Sequence, residues 1–460
     1  MTGTITLPIW AFILILLFAA VTFASHFLFP SVRWFFRRRL ERAVARLNTR
    51  LTRPIEPFKL ARRYDMIQRL SYDPEVSQAI AEHAKAEGVP ENVAFQDAQR
   101  YAREIVPSFS AFTYFGLGIR IARWLGTLLY DVKTPPSNEK VLEPISPDAT
   151  VVFVMNHRSN TDYVLVTYLA AQASALSYAV GEWARVWPLS RLIKSMGAYF
   201  IRRKSRNALY RKVLARYVQL ATKGGVTQAV FPEGGLSLDG QLMPPKMGIL
   251  AYILDAWEPD GRDIAFVPVA INYDRVLEDR VLIAAHKRGD RRFGAKISVI
   301  ASFILEKIWL KLRGRYTGFG TAAVVFGSPV LMSGYKTRPD LDGLANDLMA
   351  RIKDNMPVLG VPLMATVFLN AQAPLTQAEA IEAGKALLTK MNSAGAISGD
   401  PDKILAGAIN QMAQRHMIEE GTQGWSARSE EHDVMAFYAN TVAHAIEGQA
   451  PVLIAARAKS

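Results

Sequence analysis

Between Thr150 and Phe326 the chain repeats one pattern, a short run of β-branched and aromatic residues followed by a longer amphipathic stretch. The runs are TVVFVM (150–155), SALSYAV (174–180), AYFI (198–201), TQAVF (227–231), IAFVPVAI (264–271) and AAVVF (322–326), with helical segments between most of them. Few folds accommodate such a pattern. Period-2 and all-apolar runs belong in a sheet, the 3.6-period stretches must bury one face against it, and together they predict an α/β domain. The pattern does not encode strand order or the direction of the later strands.

The flanks read differently. Upstream, PEVSQAIAEHAKAEG and NVAFQDAQRYAREIV are helix-forming and are separated by Gly88-Val89-Pro90, so residues 31–132 are expected to be a basic flank followed by a small helical domain. The stretch 133–149 carries two adjacent prolines and two more beyond, and reads as a linker. An α/β domain over 150–360 follows, and then a helical region over 361–460 with LTQAEAIEAGKALLTKM and DPDKILAGAINQMAQRH as helices. At 460 residues this division into a main domain with helical additions is the expected economy of core building.

From Leu7 to Leu28 lie about 22 residues without a formal charge, which as a helix extend about 33 Å, the thickness of one bilayer crossing. The basic residues follow this run rather than precede it, so residues 1–30 are expected to be an uncleaved transmembrane anchor and not a signal peptide. Arg33, Arg37, Arg38, Arg39, Arg42, Arg46, Arg50 and Arg53 come next, and the positive-inside rule places this flank on the cytoplasmic side. A formal net charge of +14 suits a body lying against anionic lipid. The expected location is thus a bacterial inner membrane, crossed once, with membrane lipid as a partner. No nucleic-acid-binding module is present in the pattern. There is no cysteine, which excludes disulfides, thiolate metal sites and a cysteine nucleophile.

Three segments carry chemistry. The first, Asn156-His157-Arg158-Ser159-Asn160-Thr161-Asp162, joins the run VVFVM to the helical stretch YVLVTYLAAQ, the kind of strand-to-helix turn where open α/β sheets place ligands. Inside one helix, His157 and Asp162 would point about 140° apart. They can cooperate only if the helix begins near Ser159 to Thr161. Asp162 could then fix the imidazole tautomer while His157 takes a proton from an attacking hydroxyl. The plainer reading is a polar loop residue and an acidic first turn.

The second segment, Phe231-Pro232-Glu233-Gly234-Gly235-Leu236-Ser237, opens a polar loop that reaches Lys246. Its glycines allow close approach of the backbone to a ligand, Glu233 could accept from a hydroxyl, and Ser237 with backbone N–H groups could donate to a phosphate or an oxyanion. In the third, Gly197 to Lys204, cations follow a short strand, and Arg202, Arg203 and Lys246 are candidates for an anionic substrate, with a solvated basic face as the alternative. No Gly-x-Ser-x-Gly elbow or zinc-type His/Glu spacing occurs, and no metal site is expected.

In this order the segments resemble the glycerol-3-phosphate acyltransferase family, particularly its bacterial membrane-bound enzymes and dihydroxyacetone-phosphate relatives. The family's His-x4-Asp block corresponds to His157 and Asp162, its Gly-x-x-Phe-Ile-Arg-Arg block to Gly197–Arg203, and its Glu-Gly block to Glu233, Gly234 and Ser237. Val267-Pro268-Val269 corresponds to a fourth block, and Phe437 to His444 looks like the family's C-terminal Tyr/Asn/His feature.

The resemblance implies a glycerolipid acyltransferase-like αβ domain with a mixed sheet. It also implies direct transfer of a fatty acyl group, without metal or covalent intermediate, from acyl-CoA or acyl carrier protein to a phosphorylated or lipid hydroxyl acceptor. One departure bears on the acceptor: where family members commonly read Glu-Gly-x-Arg-Ser, with the arginine on the acceptor phosphate, this chain has Leu236. An acceptor such as a lysophospholipid, or a non-catalytic lipid-binding scaffold, are the competing readings.

Overall fold

The computed structural model describes residues 8–135, 137–170, 174–181, 187, 189–202, 207–289, 306, 309–311, 313, 318–391 and 399–454. The chain forms two compact units, Met1–Pro54 and Ile55–Ser460. In the first, the apolar run and its arginine flank make one helix, Ile9–Asn48. Its described apolar side chains from Ile9 to Val21 are exposed. Among the described residues no helix is long and apolar enough to cross a membrane.

All six expected strands form in the second unit, and two short ones join them. The strands are β1 (Asp131–Lys133), β2 (Thr150–Met155), β3 (Ser177–Val180), β4 (Tyr199–Phe200), β5 (Gln228–Val230), β6 (Ile264–Tyr273), β7 (Thr321–Phe326) and β8 (Val330–Leu331). The order across the sheet is β1-β7-β6-β2-β5-β3-β4, with β8 also on β6. Pairing is parallel from β6 through β2, β5 and β3 to β4. It turns antiparallel where β7 and β8 meet β6, while β1 is parallel to β7. The sheet is therefore mixed, as the resemblance implies.

Pro268 sits inside β6, where a proline would normally break a central strand. Its carbonyl accepts from Gly327 N–H, so its missing donor also faces the place where β7 gives way to β8 and no ladder bond is lost.

Every residue of β2 and β6 is buried, as expected of strands covered on both faces. Alternation along β2 divides the core. Val151, Phe153 and Met155 pack with the helices Asp162–Leu169, Gly360–Asn370, Pro401–Gln414 and His432–Asn440. Val152 and Val154 pack with Pro74–Glu87, Glu91–Ile105, Ala208–Lys223 and Leu341–Asp354. The helical additions before and after the sheet thus cover opposite faces of one sheet rather than forming separate domains.

Their local signals are those anticipated. Asp73 caps Pro74–Glu87 by accepting from Glu75 N–H, Gly88 ends that helix at φ 65°, and Thr376 with Glu379 forms a capping box on Gln377–Thr389.

The stretch 133–149 is not a free linker. β1 begins at Asp131, and buried Asn138 donates to Val324 O at 2.8 Å and accepts from Phe326 N–H at 3.0 Å, tying the segment to β7. Side-chain pairing to a strand backbone replaces the ladder that the prolines prevent. The helical tail also holds a two-stranded antiparallel hairpin, Ile418–Gly421 with Gly424–Ala427, which was not anticipated.

Candidate active site

Because β6, β2, β5, β3 and β4 run parallel, their carboxyl ends lie on one edge of the sheet, the usual ligand side of such folds. His157 lies two residues past β2 and Glu233 three past the adjacent β5. Arg202, two past β4, is three strand spacings from β2, about 14 Å. The topology thus brings the first two motifs together and leaves the third at the border of the sheet.

The helix starts at Asp162, with His157 in the loop before it. This is the arrangement that lets the two side chains converge, and His157 Nδ1 lies 2.9 Å from Asp162 Oδ2. A carboxylate only accepts, so Nδ1 carries the proton and Nε2 is the basic nitrogen. The same Oδ2 accepts Arg158 N–H (2.8 Å) and Ser159 N–H (3.1 Å), and Oδ1 accepts the Tyr273 hydroxyl. Asp162 is fully buried and His157 nearly so. Phe231 lies against the imidazole with ring centroids 4.2 Å apart, and Tyr163 meets it edge-on at 5.4 Å.

Glu278, which follows β6, completes the turn. Its Oε1 accepts from Asn160 N–H (3.1 Å) and Asn160 Nδ2 (2.9 Å), and its Oε2 accepts from Ser159 Oγ (2.7 Å). Burial raises its pKa, while these donors work in the opposite direction. Every main-chain N–H from 157 to 162 then has an acceptor. His157 N–H donates to Glu233 Oε1 (2.8 Å), those of 158 and 159 to Asp162, that of 160 to Glu278, that of Thr161 to Ser159 Oγ, and that of Asp162 to Ser159 O. The turn is fully satisfied internally, and its backbone holds no donor for an oxyanion.

Glu233 is buried and braces the backbone. Its second oxygen accepts from Met243 N–H at 3.0 Å. Burial raises its pKa, and the Arg158 guanidinium opposes that rise. Ser237 is also internal, its N–H donating to His157 O (3.0 Å) and its hydroxyl to Gln241 O (2.7 Å). Gly234 adopts φ 65°, and a Cβ there would lie 2.8 Å from Lys246 Cδ and 3.3 Å from its Nζ. Lys246 therefore runs over this glycine. Arg158 is buried, with Nη1 donating to Gly240 O.

Arg202 donates through Nε and Nη2 to the two oxygens of Glu104, at 2.9 and 2.6 Å, and its guanidinium lies 5.3 Å from the Tyr101 and Tyr210 rings. The hydrogen bonds to Glu104 raise its pKa. It is thereby held to the helix Glu91–Ile105. Arg203 lies outside the described residues.

Sequence reasoning missed Tyr273, Glu278 and the contribution of the tail. Asn440 donates to Asp239 O and Val452 O at 2.9 Å each and accepts from Val452 N–H. Tyr438 donates to Asp279 Oδ2 (2.6 Å) and accepts from Val276 N–H, and Thr441 meets Asn272. The tail feature thus grips both loops behind the site. Only its polar residues inside an apolar helix could have signalled this.

Two family models match this chain, "Acyltransferase" over residues 138–272 and "Glycerol-3-phosphate acyltransferase C-terminal region" over 310–459. Over these two stretches the chain is similar to glycerol-3-phosphate acyltransferases. Among relatives of that name, the protein from Aeromonas hydrophila is 29% identical over 337 residues, 68% of this chain and 40% of its own length. Those from Pseudomonas putida (32% over 282 residues, 60% and 32%) and Pasteurella multocida (27% over 420 residues, 84% and 50%) are similar in the same way. The chain spans half or less of the length of these acyltransferases. The crystal structure of the 1-acyl-sn-glycerophosphate (LPA) acyltransferase PlsC from Thermotoga maritima overlays with a TM-score of 0.32 at 19% identity, covering 63% of this chain and 95% of that one, too distant to carry over detail. The matched acyltransferase region holds β2 through β5 and most of β6, and with them His157, Asp162 and Glu233.

Proposed function

We propose that this protein transfers a fatty acyl group from acyl-CoA or acyl carrier protein to the sn-1 hydroxyl of glycerol 3-phosphate, with His157 as general base and no covalent enzyme intermediate. The observation that carries this reading is the His157–Asp162 pair, buried, oriented through Nδ1 and set at the carboxyl edge of the sheet. Nε2 takes the acceptor hydroxyl proton as the oxygen attacks the thioester carbonyl. Asp162 balances the imidazolium that forms. The tetrahedral intermediate then expels the thiolate, which receives the proton back from Nε2, so that ester and free thiol leave and the enzyme is unchanged.

The chain has no cysteine for an acyl-thioester intermediate, which agrees with direct transfer. That its relatives are glycerol-3-phosphate acyltransferases by name supports glycerol 3-phosphate as acceptor. Leu236 favours a second acceptor class, a lysophospholipid or other hydroxylated lipid, because its side chain is buried in the core where family members commonly carry the phosphate-binding arginine.

Attachment to a lipid surface, with the body on the cytoplasmic side of an inner membrane, is supported by the exposed apolar residues from Ile9 to Val21 and the arginines that follow them. Purified His157→Ala supplied with labelled acyl donor and each acceptor is the direct test. Loss of transfer by about 10²–10⁴-fold is expected, and wild-type activity in that variant would refute the base assignment.

A further inference from the structure

We infer that Arg275 and Arg415 form a binding site for a phosphate-class oxyanion, which joins the C-terminal helical region to the loop after β6. The site stands apart from the acyl-transfer chemistry and does not depend on that reading.

Two elements bring the arginines together. Arg275 lies two residues past β6, and its guanidinium rests on the Phe319 ring, 4.2 Å from the centroid. Beside Phe319, Gly320 has Gln411 packed against it, since a Cβ there would meet Gln411 Oε1 and lie 2.8 Å from Asp274 Cβ. Arg415 follows Gln411 by one turn, at the C-cap of the helix Pro401–Gln414, and so emerges next to Arg275. Tyr438 links the two as well. Its hydroxyl accepts from Val276 N–H at 3.0 Å, and its ring centroid lies 5.2 Å from the Arg415 guanidinium.

Their donors are incompletely used. Arg415 Nη2 donates to Asp279 Oδ2, but Nη1 is buried and has no partner among the described residues. Arg275 is half-buried, and none of its side-chain N–H groups reaches a described acceptor. Asp279 is the carboxylate that both cations face, and it already accepts from Arg415 and from the Tyr438 hydroxyl. Burial, and next the repulsion from Arg415, lower the pKa of Arg275.

Two cations sharing one carboxylate away from bulk water call for a further anion. A trapped water would satisfy Arg415 Nη1 and leave the charge unbalanced. A carboxylate ligand brings two oxygens, whereas two guanidinium forks arriving from different elements suit the additional oxygens of a phosphate.

The position sets what the anion does. Phe319 meets Tyr130 with centroids 5.8 Å apart, Tyr130 meets Tyr273 at 5.2 Å, and the Tyr273 hydroxyl reaches Asp162. These rings stand between the site and the His157–Asp162 pair, so the anion is not a reacting group. It ties the tail at Arg415 to the loop at Arg275, and Asp279 there directly follows the Glu278 that braces the His157 turn.

The test uses the full chain in neutral detergent at constant ionic strength, as wild type, Arg275→Gln and Arg415→Lys. Glutamine at 275 forfeits no hydrogen bond of the fold, and lysine at 415 keeps a charge toward Asp279 while removing the orphan donor. Calorimetric titration with inorganic phosphate is expected to show binding to wild type and a Kd raised about 10- to 100-fold in each variant. Phosphate should raise the unfolding midpoint of wild type more than that of either variant. Acetate should bind wild type more weakly than phosphate does.

Phosphate held elsewhere on the protein, at an acceptor site included, is common to all three proteins and cancels in the comparison. Equal phosphate affinity in wild type and either variant overturns the site, as does absence of binding to wild type. Acetate binding as tightly as phosphate overturns the ligand class. Should Arg275→Gln fail to fold, Arg275→Lys, which keeps the charge and loses the fork, takes its place under the same criteria.

Discussion

Replacing Asp162 with asparagine isolates the role of its charge. Asp162 Oδ2 accepts three donors and Oδ1 a fourth. Alanine at this position would strand all four. At about 1–3 kcal/mol each, that loss is comparable with the whole stability of a domain, so the protein would unfold and report nothing about catalysis. Asparagine keeps an acceptor toward His157, Arg158 and Ser159 and turns its amide to the Tyr273 hydroxyl, which can rotate to accept. The expected stability loss is about 1–3 kcal/mol.

What is lost is the charge facing the imidazolium. At an effective dielectric constant of about 20 and a separation near 4 Å this attraction contributes about 4 kcal/mol, which corresponds to roughly 10²–10³ in rate. Steady-state kinetics should therefore show kcat down by about that factor with both KM values little changed. The double variant with His157→Ala should be no slower than His157→Ala alone. A kcat within about threefold of wild type in folded Asp162→Asn would refute the claim that this carboxylate stabilises a protonated His157.

Two further outcomes follow from groups that the proposed chemistry does not itself use. Glu278→Gln puts an amide donor against Ser159 Oγ, which already accepts from Thr161 N–H and Thr161 Oγ1. Loosening of the turn is expected to lower kcat about tenfold, a change of roughly 1.4 kcal/mol, with little change in KM. Lower thermal stability without any fall in kcat would show that Glu278 serves the fold alone. Burial lowers the pKa of His444 to about 4, its Nε2 lying 3.1 Å from Lys353 O. A depressed folded-state pKa means that the neutral ring stabilises the fold fully above about pH 6.5, and that this contribution is lost as pH falls to about 4. Wild type should therefore lose up to about 3 kcal/mol more than His444→Gln over that interval, read from unfolding midpoints against pH. Parallel curves for the two proteins would contradict this.

The strands and helices were legible because their signals are local. Apolar runs such as TVVFVM and IAFVPVAI can only sit in a doubly covered sheet, and Gly88-Val89-Pro90 ends one helix and begins the next by backbone chemistry alone. β1, β8 and the hairpin Ile418–Gly421 with Gly424–Ala427 escaped notice because they are short and lack a clear period. The stretch 133–149 misled because proline content reports lost donors but not the side-chain amide of Asn138 that replaces them.

For the site, the residues at 157 and 162 could state their own requirement, a helix start between them, since five residues of chain leave few alternatives. The roles of partners such as Glu278, Tyr273, Glu104 and Asn440 could not be read there. Each meets its target across about a hundred residues or more of sequence, at a place fixed by parallel strand order and by the packing of two helical layers. Sequence thus determined which elements form and which turn can hold a histidine and an aspartate in contact. Tertiary structure alone decided that Arg202 is held by Glu104, that Glu233 braces a backbone, and that Lys246 lies over Gly234. Those outcomes depend on which distant groups satisfy each buried donor and charge, and no local period encodes that.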